Sequence, residues 1–182
     1  MTTPGQTVGP FFHDSLPYPG GGDLVPPGHP GAVRLRGTVL DGRDDPVPDA
    51  LLEIWQPDPD GRVVRTGGSL RRDGWTFTGW GRAATDHRGQ YSFTTLRPGA
   101  TEPGRAPFFA VTVFARGLTD RLFTRAYLPG DPALLAADPL LAGLDADRRA
   151  TLIAAADDQG LVFDVRLQGE RETVFLTFPG HR

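Results

Sequence analysis

Val33, Leu35, Gly37 and Val39 alternate with Arg34, Arg36 and Thr38, and glycine or proline stands close to the ends of this run and of nearly every similar one along the chain. A two-residue period puts successive side chains on opposite faces of a strand, so such a run buries one face and wets the other. The 24 glycines and 18 prolines among 182 residues point the same way, because that density suits a turn-rich β fold and would break a helical bundle. The runs expected to form strands are 33–39, 50–56, 63–66, 75–79, 91–95, 108–115, 123–128, 161–167 and 173–178. Turn clusters separate them at short intervals, which predicts an all-β antiparallel sandwich rather than βαβ units.

Two segments depart from this pattern. Asp131 followed by Pro132 has the form of an N-cap with proline at the first helical position, and the stretch 147–156 is alanine-rich around Leu152 and Ile153. They predict a short helical insertion at about 131–156, packed over one edge or end of the sheet. Residues 1–30 hold a dense set of breakers and almost no periodicity, so they read as an extended N-terminal arm ahead of a sandwich domain at 31–182. So few apolar residues cannot support their own core; the arm must lie on its own domain or cross to a partner chain.

The charge balance narrows the function. A net charge of −3 and a pI near 5.8 provide no positive field for phosphates or anionic lipid, so neither nucleic acid nor membrane is expected as a partner. All 19 basic residues are arginine, which excludes a Schiff-base lysine and a phosphate-loop lysine while leaving planar carboxylate recognition available. With no cysteine the fold owes nothing to an oxidising compartment. There is no apolar run of membrane-spanning length and no visible targeting segment, and the cytoplasm is the expected location.

Common catalytic patterns are missing. No G-x-S-x-G occurs around Ser15, Ser69 or Ser92, and His13, His29, His87 and His181 are dispersed without metal-ligand spacing. Asp44-Asp45 and Asp157-Asp158 fall in turn-like contexts where carboxylates are ordinarily solvated. Read residue by residue, the chain is equally a stand-alone transthyretin-like sandwich that binds a ligand without enzymatic activity, with Phe11-Phe12 and the run Trp75 to Trp80 as its interaction surface.

Several longer motifs occur in a fixed order: Thr3-Pro4-Gly5-Gln6-Thr7-Val8-Gly9-Pro10-Phe11-Phe12, Pro46-Val47-Pro48-Asp49-Ala50-Leu51-Leu52-Glu53-Ile54-Trp55-Gln56, Thr85-Asp86-His87-Arg88-Gly89-Gln90-Tyr91 with Leu96-Arg97-Pro98-Gly99, Val113-Phe114-Ala115-Arg116-Gly117-Leu118, and the closing stretch from Phe163 to Phe178. Together they resemble the intradiol ring-cleavage dioxygenases over nearly the whole chain. That family builds a β-sandwich around a non-haem ferric ion, held by two tyrosinates and two histidines, that chelates a catechol for attack by dioxygen. Here Val63 stands where the first tyrosine is expected, Ala100 or Thr101 where the second would fall, and Phe108-Phe109-Ala110-Val111-Thr112 replaces a strand bearing a His-x-His pair.

The resemblance therefore implies an alpha-type chain without a metal site. Fe(III) would be held by a homologous beta chain in a hetero-oligomer that cleaves protocatechuate with dioxygen to 3-carboxy-cis,cis-muconate, a step of aromatic catabolism. It implies further that the arm packs on the partner and lines its substrate pocket with Thr7, Gly9 and Pro10, that Arg116 contacts the substrate, and that no catalytic residue belongs to this chain. Phe11 departs from a tyrosine that related alpha-type chains carry, which removes a hydroxyl. Arg125 reads as a structural strand arginine outside the site.

Overall fold

The structure is a computed structural model that describes residues 6–179; Thr3, Pro4 and Gly5 of the first motif, and His181, lie outside the described residues. In chain order the elements are α1 (Phe12–Ser15), β1 (Ala32–Leu40), β2 (Leu51–Trp55), β3 (Trp80–Ala84), β4 (Gln90–Leu96), β5 (Phe108–Phe114), β6 (Leu122–Tyr127), α2 (Pro132–Ala137), α3 (Pro139–Ala142), α4 (Ala146–Ala150), β7 (Ala155–Asp157), β8 (Gly160–Val162) and β9 (Val165–Arg166). One sheet has the order β4-β1-β8-β7, with β9 also on β1; the other has the order β3-β2-β5-β6. The second is antiparallel throughout, whereas β8 and β9 run parallel to β1, so the first sheet is mixed.

The alternation read in 33–39 is realised: Leu35 and Val39 are buried without remainder, and they meet Phe93, Leu52, Ile54, Phe109, Val111 and Val113 in the core between the sheets. Each such side chain contributes about 1.5–3 kcal/mol on burial. Gly37 takes the one inward position on β1 where no side chain fits, since a Cβ there would lie 1.9 Å from the Phe163 carbonyl oxygen. That contact explains why the run 161–167 forms two short strands instead of one. Phe163 swings its carbonyl in over Gly37, the Tyr91 hydroxyl donates to it, and the Asp164 carboxylate accepts the Thr38 N–H at 2.8 Å in place of a ladder bond.

Other expectations fail for local reasons. The run 75–79 is a loop, because Asp73 accepts the N–H groups of Trp75 and Thr76 and the Thr76 hydroxyl, and Gly74 and Gly79 adopt positive φ. Those bonds hold the Asp73 carboxyl at a pKa of about 2. Pairing starts one residue later, at Trp80, leaving Trp75 93% exposed. The runs 63–66 and 173–178 make only single bridges, Pro57 with Val63 and Phe123 with Leu176. The helix begun at Ala146 stops at Ala150, because the Leu152 carbonyl and the Ala154 N–H bond Tyr127 on β6.

The insertion itself forms as read. The Asp131 carboxylate caps α2 through the Ala133 N–H, and Asp138 caps α3 through Leu140 and Leu141. The helices cover the outer side of β6, where Tyr127 is fully buried with Leu141 and Leu152 and donates its hydroxyl proton to Asp138 at 2.9 Å. Burial pushes the Tyr127 phenol up to about 12.

The arm divides into two parts. From Tyr18 to Val25 it lies on its own domain: the Gly21 carbonyl accepts Arg82 N–H of β3, the Gly22 carbonyl accepts Thr94 N–H of β4, and Leu24 and Val25 donate back to the Thr94 carbonyl. This strap spans the edge strands of both sheets. Upstream of it Phe12 is buried within the short α1, while Phe11 is 72% exposed.

Two outcomes follow. A Cβ at Gly21 would sit 2.7 Å from the Arg82 carbonyl oxygen, so Gly21→Ala should destabilise the chain by about 1–3 kcal/mol, read as a lower melting temperature. Tyr127 keeps its proton when folded at a pH where the unfolded phenol has lost it. Stability should therefore be full below about pH 10 and fall as pH rises toward 12, and Tyr127→Phe should flatten that fall in alkaline denaturation.

Candidate functional site

The outer face of the second sheet presents one row across its four strands: Trp80, Trp55, Ala110 and Arg125 are mutual register partners. Two turns rise beside it and interlock. Gly61, at φ +83°, and Gly99 leave no room for a Cβ, which would meet the Ala100 carbonyl oxygen at 2.0 Å and the Pro59 carbonyl oxygen at 2.3 Å. This close approach brings Val63 and Thr101 to the same rim, over Phe108 and Ala110. The loop from Val64 to Thr78 forms the opposite wall. The result is a groove of about 700 Å³ whose lining includes Trp55, Val63, Trp80, Thr101, Phe108 and Ala110.

The positions where the resemblance puts metal ligands thus converge in space although they are far apart in sequence. Their side chains do not fit a ferric ion. Hard Fe(III) takes anionic oxygen and imidazole donors, and the groove has neither histidine, tyrosine nor carboxylate in its lining. Among the described residues no group of three His, Cys, Asp or Glu could hold a metal. Gln56, in the floor, is committed elsewhere: its amide donates to the Leu96 carbonyl at 2.9 Å and accepts from the Thr95 hydroxyl at 2.5 Å, staking β2 to β4.

Two of the three tyrosines, Tyr91 and Tyr127, serve the core. Tyr91 is buried between the sheets, and burial raises its phenol far above the usual value. Arg125 donates to the Tyr127 hydroxyl at 3.0 Å and stacks 4.1 Å from the Phe108 ring centroid, the structural role expected of it.

Arg116 stands at the other end of the sheet, just past β5, six residues and roughly 20 Å from Ala110 at strand spacing. Its side chain is 65% exposed, and Nε faces the Asp49 carboxylate at 2.9 Å. Asp49 is itself buried at the head of β2, so the ion pair joins an exposed guanidinium to a carboxylate held within the fold. Sequence reasoning missed Asp49, which looks like one more turn residue in Pro48-Asp49-Ala50; its signal was an acid directly ahead of an apolar strand.

Thr7 and Pro10 are exposed, Gly9 is half-buried, and Gly9 takes φ +80° with its N–H 3.4 Å from the Thr7 hydroxyl oxygen. No hydrogen bond or ion pair joins these three residues to Arg116 among the described residues. A chain purified without any partner should contain no stoichiometric iron by metal analysis and show no tyrosinate-to-iron absorption; one iron per chain with that band would refute the reading of the groove.

Comparison with known proteins agrees with this arrangement. A family model described as Dioxygenase matches residues 10–106. The chain is 40% identical to the protocatechuate 3,4-dioxygenase alpha chain of Burkholderia cepacia, with 96% of each covered. It is 33% identical to the beta chain from the same organism, over 92% of this chain and 76% of the relative. Among solved structures, the dioxygenase domain of a dioxygenase carbohydrate-binding protein fusion from Streptomyces sp. SirexAA-E superposes with a TM-score of 0.59 at 27% identity, covering 92% of this chain and 98% of that one. On the matched sandwich, the family model and the near full-length identity, this chain belongs to the intradiol ring-cleavage dioxygenases.

Proposed function

We propose that this chain is the alpha-type, metal-free subunit of a protocatechuate 3,4-dioxygenase, paired with an iron-bearing beta-type chain whose substrate pocket it completes. The observation that carries the reading is the groove: the family's ligand positions come together here with Val63, Thr101, Phe108 and Ala110 in place of metal donors. An enzyme of this family that retains the fold but has no donors needs its iron on another chain, and relatives of both alpha and beta type are similar to this one over most of its length. Ring cleavage inserts both atoms of dioxygen between the two hydroxylated carbons, giving 3-carboxy-cis,cis-muconate without an external reductant. The iron on the partner supplies the activation of the catechol.

What this chain supplies is recognition. Arg116 offers the planar fork suited to the ring carboxylate of protocatechuate, and the ion pair with Asp49 holds that fork in one orientation before substrate arrives. The arm contributes backbone that approaches the ligand closely at Gly9, a fixed path at Pro10 and a hydroxyl at Thr7 that can donate a hydrogen bond. In this reading the segment that reaches the partner is the one ahead of the strap, since Tyr18 to Val25 is occupied on its own domain. No helix among the described residues is long and apolar enough to cross a membrane, and the cysteine-free composition fits a cytoplasmic assembly.

Kinetics of the two chains produced together test this. Arg116→Ala removes a charge-assisted contact of about 1.5–3 kcal/mol and should lower kcat/KM for protocatechuate about 10- to 100-fold, with iron content and assembly size unchanged. Arg116→Lys should recover only part of the loss, and Asp49→Asn should give a smaller defect because it frees the fork without removing it. Wild-type kinetics for Arg116→Ala, or a loss traced wholly to dissociation by size-exclusion chromatography, would contradict the reading.

A further inference from the structure

Arg72 is a guanidinium without a carboxylate. It makes no ion pair among the described residues and spends its donors on neutral oxygens instead: Nε donates to the Gly20 carbonyl at 3.2 Å, Nη2 to the carbonyls of Gly21 at 3.2 Å and Trp80 at 2.9 Å, and Nη1 to the Thr78 hydroxyl at 3.3 Å. Two of these partners belong to the arm and two to the approach and start of β3. Two further contacts tie the same segment down. Arg82 Nη1 donates to the Leu16 carbonyl at 3.0 Å while Glu53 holds the rest of that guanidinium, and the Tyr18 hydroxyl donates to the Ser69 carbonyl at 2.8 Å. Ahead of Leu16 the pattern ends: the arm's hydrogen bonds among the described residues are local, within α1 or between Thr7 and Gly9, and Phe12 alone is buried there.

We propose that Arg72, seconded by Arg82, is a clasp that sets the point from which the arm leaves the domain, and so acts as a positioning residue for the arm's contribution to the partner's substrate pocket. This rests on the proposed reading that Thr7, Gly9 and Pro10 line that pocket. The physical case is one of leverage. Thr7 to Pro10 lie only six to nine residues ahead of Leu16, with the buried Phe12 between, so this short segment inherits the position and direction of the residues fixed behind it, and ordering it in advance removes entropy that substrate binding would otherwise have to offset. Carbonyl oxygens in an extended strap need donors that reach them from the side, and a planar fork with five N–H groups serves several at once where an ammonium serves fewer.

The experiment uses the assembled two-chain protein with Arg72→Met, which deletes the clasp without stranding a carboxylate, and Arg72→Lys beside it. Hydrogen exchange over residues 14–25 reports whether the strap is held, and steady-state kinetics report KM and kcat separately. The expected result is at least tenfold faster exchange in that segment, a three- to tenfold rise in KM for protocatechuate with kcat changed less than twofold, unchanged iron content and assembly size, and partial recovery with Arg72→Lys. Unchanged exchange would overturn the clasp itself. Loss of iron or of assembly together with activity would overturn it as well, reducing Arg72 to a structural residue. Faster exchange with wild-type KM and kcat would also defeat it, and would locate the fault in the reading that the arm serves the pocket.

Discussion

The edge strands β3 and β4 each present backbone groups that water or another strand must satisfy, and one strap closes both. Gly21 accepts from β3, and Gly22 accepts from β4 while Leu24 and Val25 donate to it. Glycine is required where the strap lies flattest, since a Cβ at Gly21 or Gly22 would come within 2.8 Å of a carbonyl oxygen on β3 or β4. Leu24 and Val25 then drop into the interior at the open side of the sandwich. Exposed edges invite pairing with other chains. Covering them within the chain leaves the outer face of the second sheet and the residues ahead of the strap as the surfaces available to a partner.

That outer face shows how a fold outlasts the chemistry of its family. The interlocked turns at Gly61 and Gly99, the row of Trp80, Trp55 and Ala110, and the loop that walls them are backbone features, and they persist without any metal donor. The donors this chain does own are used elsewhere. Tyr91 and Tyr127 sit in the two cores with their hydroxyls bonded to Phe163 and Asp138, and Arg125 stacks beneath the groove on Phe108. What the chain presents outward is a guanidinium paired with Asp49 and an arm bonded by Arg72 and Arg82.

Much of this was legible in the sequence. Alternation fixes which residues of β1, β4 and β5 face the core, because a period of two permits only one assignment once one face is apolar. The caps at Asp131 and Asp138 show the same local logic, although only the first was read. The residue types that line the groove were legible as well, since Val63, Thr101, Phe108 and Ala110 are read directly from the chain. Pattern misled where a local bond competed with it: Asp73 held 75–79 out of the sheet, and the Phe163 carbonyl over Gly37 cut one strand into two.

The sequence by itself determined the sandwich, the helical insertion and the residue types at the groove positions, all properties of residue type and spacing along the chain. Only the tertiary structure decided that Val63, Thr101 and Ala110 share one groove, that Asp49 pairs with Arg116, and that the arm from Tyr18 to Val25 is a strap on its own domain. Those outcomes depend on contacts between residues distant in sequence, such as Arg72 with Gly20 or Asp49 with Arg116, and no local periodicity records which carbonyl or carboxylate a long arginine side chain will reach.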